Sequence, residues 1–258
     1  MQVELNELLR GKATKIKDKQ FYPTAAYVEP FLERMQKYTN EFVYNVKLPD
    51  QITTVDDTDD ITYNRVWVQA VLPEKYSIEN HQKVFGMVYG LDVRKPVVKF
   101  YSGGLNMACT NLCIFSPEML EVQELQPESA INFKPLNRIA ETTDNIVSWL
   151  RKLQSIEVDC SEQNVNEMLG MWVRNCMYNS YDSGFGKVKL ATSTAIDAYK
   201  LLFEDDKSPY FIKENQDTNM FNVYNAFTQI ITDNRKKEII NNCEKTLLLK
   251  DILNFDIN

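Results

Sequence analysis

The apolar residues of this chain change their period once, near residue 137, and that change limits the fold more than any other feature. Before it, EFVYNVKLP alternates, setting Phe42, Tyr44, Val46 and Leu48 on one face of a strand. YNRVWVQAVLP, KVFGMVYGL and KPVVKFYS continue the β-rich pattern with β-branched and aromatic residues, the last two joined by a turn around Asp92–Pro96. One early helix interrupts it: TAAYVEPFLERMQKYT places Val28, Phe31, Leu32, Met35 and Tyr38 at helical spacing, with Pro30 expected in its first turn or shortening it from the N-terminal side. Beyond residue 137 the period is helical. NRIAETTDNIVSWLRKLQSIE carries Ile139, Ile146, Trp149, Leu150, Leu153 and Ile156 on one stripe, and EQNVNEMLGMWVRNCMY carries Val165, Met168, Leu169, Trp172, Val173, Cys176 and Met177. TSTAIDAYKLLFED, NMFNVYNAFTQIITD and KKEIINNCEKTLLLKDIL repeat the helical spacing, and YDSGFGK punctuates a turn between helices. The predicted class is α+β: a mainly antiparallel sheet in the N-terminal half packed against a helical C-terminal half. A single domain over 1–258 is expected, with a basic N-terminal arm (1–20), a sheet-rich part (21–135) and a helical part (136–258).

Composition narrows the chemistry. The 258 residues contain one histidine, His81, so a Ser-His-Asp triad, a Cys-His pair or a histidine-bearing zinc site would all have to use that residue. The formal net charge of −7 confines any nucleic-acid site to a local basic patch on an acidic body. Five cysteines, an odd number, read most simply as reduced thiols of a cytoplasmic protein. The N-terminal MQVELNELLRGKATKIKDKQ lacks the apolar core of a signal peptide, and no apolar run approaches bilayer length, so neither secretion nor a membrane is expected.

The stretch FYSGGLNMACTNLCIF puts two glycines, two asparagines and two cysteines inside an otherwise core-like run. Cys109 and Cys113 would share a helix face, but a metal pair lacks a second Cys or His pair. A catalytic Cys109 would need His81 as its base. The favoured reading is structural: Gly103 and Gly104 make a turn, the thiols fill a core element, and Asn106 and Asn111 bond backbone at the turn. His81 itself, in SIENHQKVF, reads as a surface histidine just before a strand. The acidic run 50–60 could gather a divalent cation but lacks the spacing and glycine of an EF-hand loop, and a solvated loop is favoured. No GxxxxGK[ST] or GxGxxG occurs.

Two segments interleave cations with rings. Lys12, Lys15, Lys17 and Lys19 would lie along one side of an extended arm near Phe21, Tyr22 and Tyr27, and Lys187 and Lys189 follow Tyr181 and Phe185. Lysines on phosphates with rings under bases are what single-strand grooves use. The plain alternative is a solvated basic arm.

VVKFYSGGLNMACTNLCIF is similar to the RVVCTNGL pattern of phage/plasmid-like proteins, domain-of-unknown-function family 932. NMFNVYNAFTQIITD resembles that family's C-terminal helix with its YNAxT core, here Tyr224, Asn225, Ala226 and Thr228. The resemblance extends from about Tyr22 to Asp233. It departs at Leu112 and Cys113, which replace a glycine and an apolar residue, and at the family's histidine after the motif, which has no counterpart. No firm reaction attaches to the family. The resemblance implies that Cys109, Thr110 and Asn111 meet Tyr224, Asn225 and Thr228 across the sheet–helix interface, with Asn225 and Asn111 satisfying buried backbone there. It also turns the function toward phage DNA handling. The expectation is a non-enzymatic single-stranded DNA-binding or annealing protein of replication or recombination, without cofactor or metal, assembling as a homo-oligomer. Lys12, Lys15, Lys17, Lys19, Lys187 and Lys189 would contact phosphate, with Tyr22 and Tyr27 stacking. The alternative is a phage interaction protein that inhibits or redirects a host protein, and a third reading is a thiol enzyme using Cys109 and His81.

Overall fold

A computed structural model describes residues 5–16, 18–37, 43–47, 53–54, 61–72, 81–91, 95–106, 111–114, 116–127, 129–142, 145–213, 216–233 and 241–255. The fold is α+β, sheet first and helices after. A short helix α1 (Leu5–Leu8) leads into the hairpin β1 (Thr14–Ile16) and β2 (Lys19–Phe21), and then into α2 (Thr24–Gln36). The six-stranded sheet takes β3 (Val43–Lys47), β6 (Arg65–Val71), β7 (His81–Gly90), β8 (Val97–Asn106), β9 (Asn111–Cys113) and β10 (Leu120–Glu124). A two-stranded ribbon, β4 (Thr53–Thr54) and β5 (Ile61–Thr62), lies between β3 and β6 in sequence, flanking the acidic run, whose residues 50–52 and 55–60 lie outside the described residues. Strand order is β10-β8-β7-β6-β3, all antiparallel, with β9 and β10 lying end to end along the outer edge of β8.

Both faces of this sheet are covered, which is why its strands read as near-continuous apolar runs. One face carries Val66, Val68, Ala70, Phe85, Met87, Tyr89, Val98 and Phe100 and packs against α2 and α3 (Pro135–Thr142). The other carries Trp67, Val71, Val84, Val88, Val97, Tyr101 and Leu105 and packs against the C-terminal helices. These are α4 (Ile146–Ser155), α5 (Glu162–Tyr178), α6 (Thr192–Phe203), α7 (Met220–Asp233) and two short helices, Asn242–Leu247 and Leu249–Leu253. The ribbons β11 (Glu157–Val158) with β14 (Thr218–Asn219), and β12 (Tyr181–Asp182) with β13 (Lys187–Val188), tie their connections together. Central α7 buries Val223, Tyr224, Ala226, Phe227 and Ile231, and Trp172 of α5 meets Phe227 edge-on with centroids 5.2 Å apart. Among the described residues no helix is long and apolar enough to cross a membrane.

Several local expectations change. The stripe over 137–157 is two helices, because Leu136 and Ile139 bury in the α2 side of the sheet whereas Ile146, Leu150 and Leu153 bury in the opposite side. One straight helix cannot serve both faces. Pro30 lies well inside α2, six residues past Thr24. A proline there costs about 3 kcal/mol through its missing donor and its clash with the preceding turn. Buried Val28, Phe31, Leu32 and Met35 on the same helix offset it, at about 1.5–3 kcal/mol each. Gly103 and Gly104 do not turn the chain. They pair with Val84 and Lys83 in mid-strand, and at Gly103 a Cβ would stand only 2.5 Å from the Cys113 carbonyl oxygen of β9. Glycine is required there by the close approach of the neighbouring strand. The YDSGFGK turn is the β12–β13 hairpin, with Gly184 and Gly186 at φ 80° and 148°.

Candidate nucleic-acid interface

The N-terminal basic segment is a docked hairpin rather than a free arm. Leu8 and Phe21 are buried in the α2 core, and Asp18 makes the turn in the left-handed region at φ 65°, which a short acidic side chain tolerates. Register opposes Lys15 to Gln20 and Ile16 to Lys19. Directly opposed residues share a face, so Lys15 and Lys19 point to opposite sides of the ribbon. Lys12, Lys15 and Lys19 are exposed, and Lys17 lies outside the described residues. Lys15 also sits 3.8 Å from Asp18, an exposed ion pair of little energetic weight. Tyr22 is 38% exposed and able to meet a ring. Tyr27 is not: it is 1% exposed, its hydroxyl accepts the Tyr22 backbone N–H at 3.0 Å, and its ring tilts against Tyr89 at 5.4 Å. Burial, first of all, raises its pKa. It is a core residue that holds Tyr22 in place.

The second basic segment joins a site that the sequence did not mark. Lys187, on β13, lines a cleft of about 200 Å³ together with Lys95 and Lys99 from the start of β8, and with Asn241 and Glu244 from the C-terminal region. Phe185, half-buried in the β12–β13 loop, forms one wall, and Ser183 lies beside it. At the floor, Lys99 donates to Glu244 Oε1 and reaches Asn241 Oδ1 at 3.4 Å. Both partners are buried, with side chains 4% and 0% exposed. Glu244 Oε2 has no hydrogen-bond partner among the described residues. Lys95 and Lys187 are exposed at the rim, and no carboxylate lies within 4.0 Å of either among the described residues. Lys189, also exposed, turns its ammonium toward the Met177 carbonyl at 3.4 Å and is absent from the cleft lining.

The Cys-Thr-Asn element is placed only in part. Cys109 and Thr110 lie outside the described residues, and Asn111 opens β9 opposite Asn106. On the helical side, the Tyr224 hydroxyl donates to the Ile114 carbonyl at 3.4 Å, just past β9, so α7 does meet this element. Thr228 bonds within its own helix, to the Asn225 carbonyl at 3.0 Å, and Asn225 is buried. His81 is not a surface residue. It is 2% exposed at the start of β7, packs on the Phe221 ring at 5.3 Å, and its Nε2 lies 3.9 Å from Cys113 Sγ. The only histidine therefore faces Cys113, a fully buried thiol that no substrate reaches in this arrangement. No family model, curated protein or solved structure matches this chain. Among the described residues no three His, Cys, Asp or Glu side chains are grouped to hold a metal ion.

What the geometry offers is therefore electrostatic. A concave site with two rim ammonium groups, a third at its floor and an aromatic wall can hold an anionic group attached to a flat ring. The signal that could have found it is Lys99 itself: a lysine inside an apolar strand covered on both faces demands a buried counter-charge.

Proposed function

We propose that the protein binds single-stranded DNA without catalysing a reaction, as a phage-type binding or annealing protein. The observation that carries this reading is the cleft, where Lys95 and Lys187, distant in sequence, meet beside Phe185. Exposed Lys12, Lys15, Lys19 and Tyr22 carry the same chemistry in the N-terminal segment, although Lys15 and Lys19 face opposite sides of the hairpin. The resemblance of two short segments to motifs of the phage/plasmid-like proteins motivates the phage setting. A second reading, engagement of a host protein, draws on Met177 and Tyr178 at the end of α5. These are 55% and 76% exposed on an acidic body, the kind of anchors that interface cores use.

The test is fluorescence anisotropy of a labelled single-stranded oligonucleotide at two salt concentrations. Each phosphate-contacting lysine contributes about 0.7 to the slope of log affinity against log salt. Lys95→Gln with Lys187→Gln should flatten that slope by roughly 1.4. No binding at low salt would reject the DNA reading and leave the host-protein one.

A further inference from the structure

We infer that the cleft between β8 and the β12–β13 hairpin is a phosphomonoester site: it seats a terminal phosphate of a nucleic-acid strand, or the phosphate of a mononucleotide, and not a backbone running through. The inference rests on the DNA reading for its ligand class but on separate features for its specificity.

Charge is the first feature. Among the described residues, three lysines line the cleft against one carboxylate, Glu244, leaving two positive charges. A phosphomonoester carries about −1.5 to −2 at neutral pH, whereas an internal phosphodiester carries one negative charge. The cleft is matched to the terminal group and over-charged for the internal one. Glu124 stands opposite Val97 on β10, on the same face as Lys99, but it is not part of the lining.

Size is the second feature. At about 200 Å³ the cleft is smaller than the roughly 300–1,000 Å³ of a small-molecule pocket, room for a phosphate group and part of its nucleoside.

Arrangement is the third. Lys99 cannot reach a ligand, because Glu244 and Asn241 hold it at the floor, and it acts through its field. Lys95 and Lys187 are the groups that touch phosphate, from opposite walls. The Ser183 hydroxyl is a further donor, and the Phe185 ring offers a face to the attached base. The Gly184 amide is committed to Asp182 Oδ1 at 2.9 Å, so the loop contributes side chains rather than a backbone nest.

The experiment compares one oligonucleotide sequence phosphorylated at the 5′ end, at the 3′ end, or at neither, by competition against a labelled unphosphorylated strand. In parallel, thymidine monophosphate is compared with thymidine by calorimetry. The expected result is that one phosphorylated end binds roughly five-fold or more tighter than the hydroxyl strand. The advantage should vanish in Lys95→Gln/Lys187→Gln, a pair of exposed positions whose replacement leaves the melting curve unchanged. Equal binding of all three strands would overturn the inference while leaving the DNA reading intact. Binding of thymidine monophosphate but of no strand would keep the site and reject the DNA reading. No binding of any probe would reject both. A phosphate advantage that survives the double replacement would place the site elsewhere and overturn the assignment.

Discussion

Replacing Lys99 with methionine keeps the length of the side chain and removes its charge, which isolates the ion pair at the cleft floor. In the native protein the two side chains are 4% and 0% exposed and join β8 to the helix Asn242–Leu247. Taking one partner from a buried pair leaves an uncompensated charge and costs about 3–5 kcal/mol. That is between about a fifth and all of the roughly 5–15 kcal/mol that holds a typical domain together. At about 2–4 °C per kcal/mol for a chain of this size, the melting temperature should fall by roughly 6–20 °C. The double replacement Lys99→Met with Glu244→Leu should behave differently. Glu244 Oε2 already lacks a partner among the described residues, so the native pair begins with an unmet acceptor. Apolar side chains of similar volume should recover most of the loss, ending near or above wild type. Urea unfolding followed by tryptophan fluorescence reads all three variants, with Arg138→Ala as the internal reference. That residue pairs with Glu121 at 2.8 Å on the surface, 60% and 28% exposed, and should cost no more than about 1 kcal/mol. A Lys99→Met variant indistinguishable from Arg138→Ala would mean that water reaches the pair. A double variant no better than the worse single would show that packing, not charge, sets the cost. Either result refutes the reasoning.

Three further outcomes are expected. Gly86→Ala places a methyl inside the envelope of the buried Tyr101 ring and should cost about 1–3 kcal/mol in urea unfolding; in a Tyr101→Ala background the same change should cost markedly less. Burial pushes the Cys176 thiol up to about 11 from 9.0, so folding favours its protonated form. That contribution is intact below about pH 9 and is lost as pH rises through about 11, so the alkaline decline in urea midpoint should be shallower in Cys176→Ala than in wild type. In the oligonucleotide assay, Tyr22→Ala should weaken binding by about 1–3 kcal/mol, and Tyr27→Phe, which removes the acceptor of the Tyr22 amide, should weaken it by less.

The sequence made some of this plain and hid the rest for physical reasons. Helix α5 was readable in extent, and Val165, Trp172 and Cys176 of its stripe are buried, but Met177, placed on the same stripe, is exposed because the helix end projects past its neighbours. The change of face between α3 and α4 was hidden, since periodicity records where apolar side chains point and not which side of a sheet receives them. Buried His81 was misread for a similar reason: its neighbours in sequence are polar, but Phe221 and Cys113, which enclose it, come from elsewhere in the chain. At the cleft, Lys187 could be picked out beside Phe185. Lys99, a lysine inside an apolar strand, carried a signal of its own, but Glu244 could not be matched to it, because the contact that joins them spans 145 residues. Tyr27 shows the opposite failure, an aromatic beside lysines that serves the core.

The order of the sheet strands bears on how the protein is made. Its neighbours follow chain order, β3, β6, β7, β8 and then β9 and β10, so the whole sheet can pair once residue 124 has left the ribosome. At about 5–20 residues per second, the helices from Ile146 onward need roughly 6–26 s more to be completed. During that interval α2 can cover one face, while Trp67, Val84, Val88, Tyr101 and Leu105 on the other have no helices to cover them. The nascent chain thus exposes an apolar face over a defined window. Rare codons placed beyond residue 146 would lengthen that window and lower the yield of folded protein without altering one residue of it.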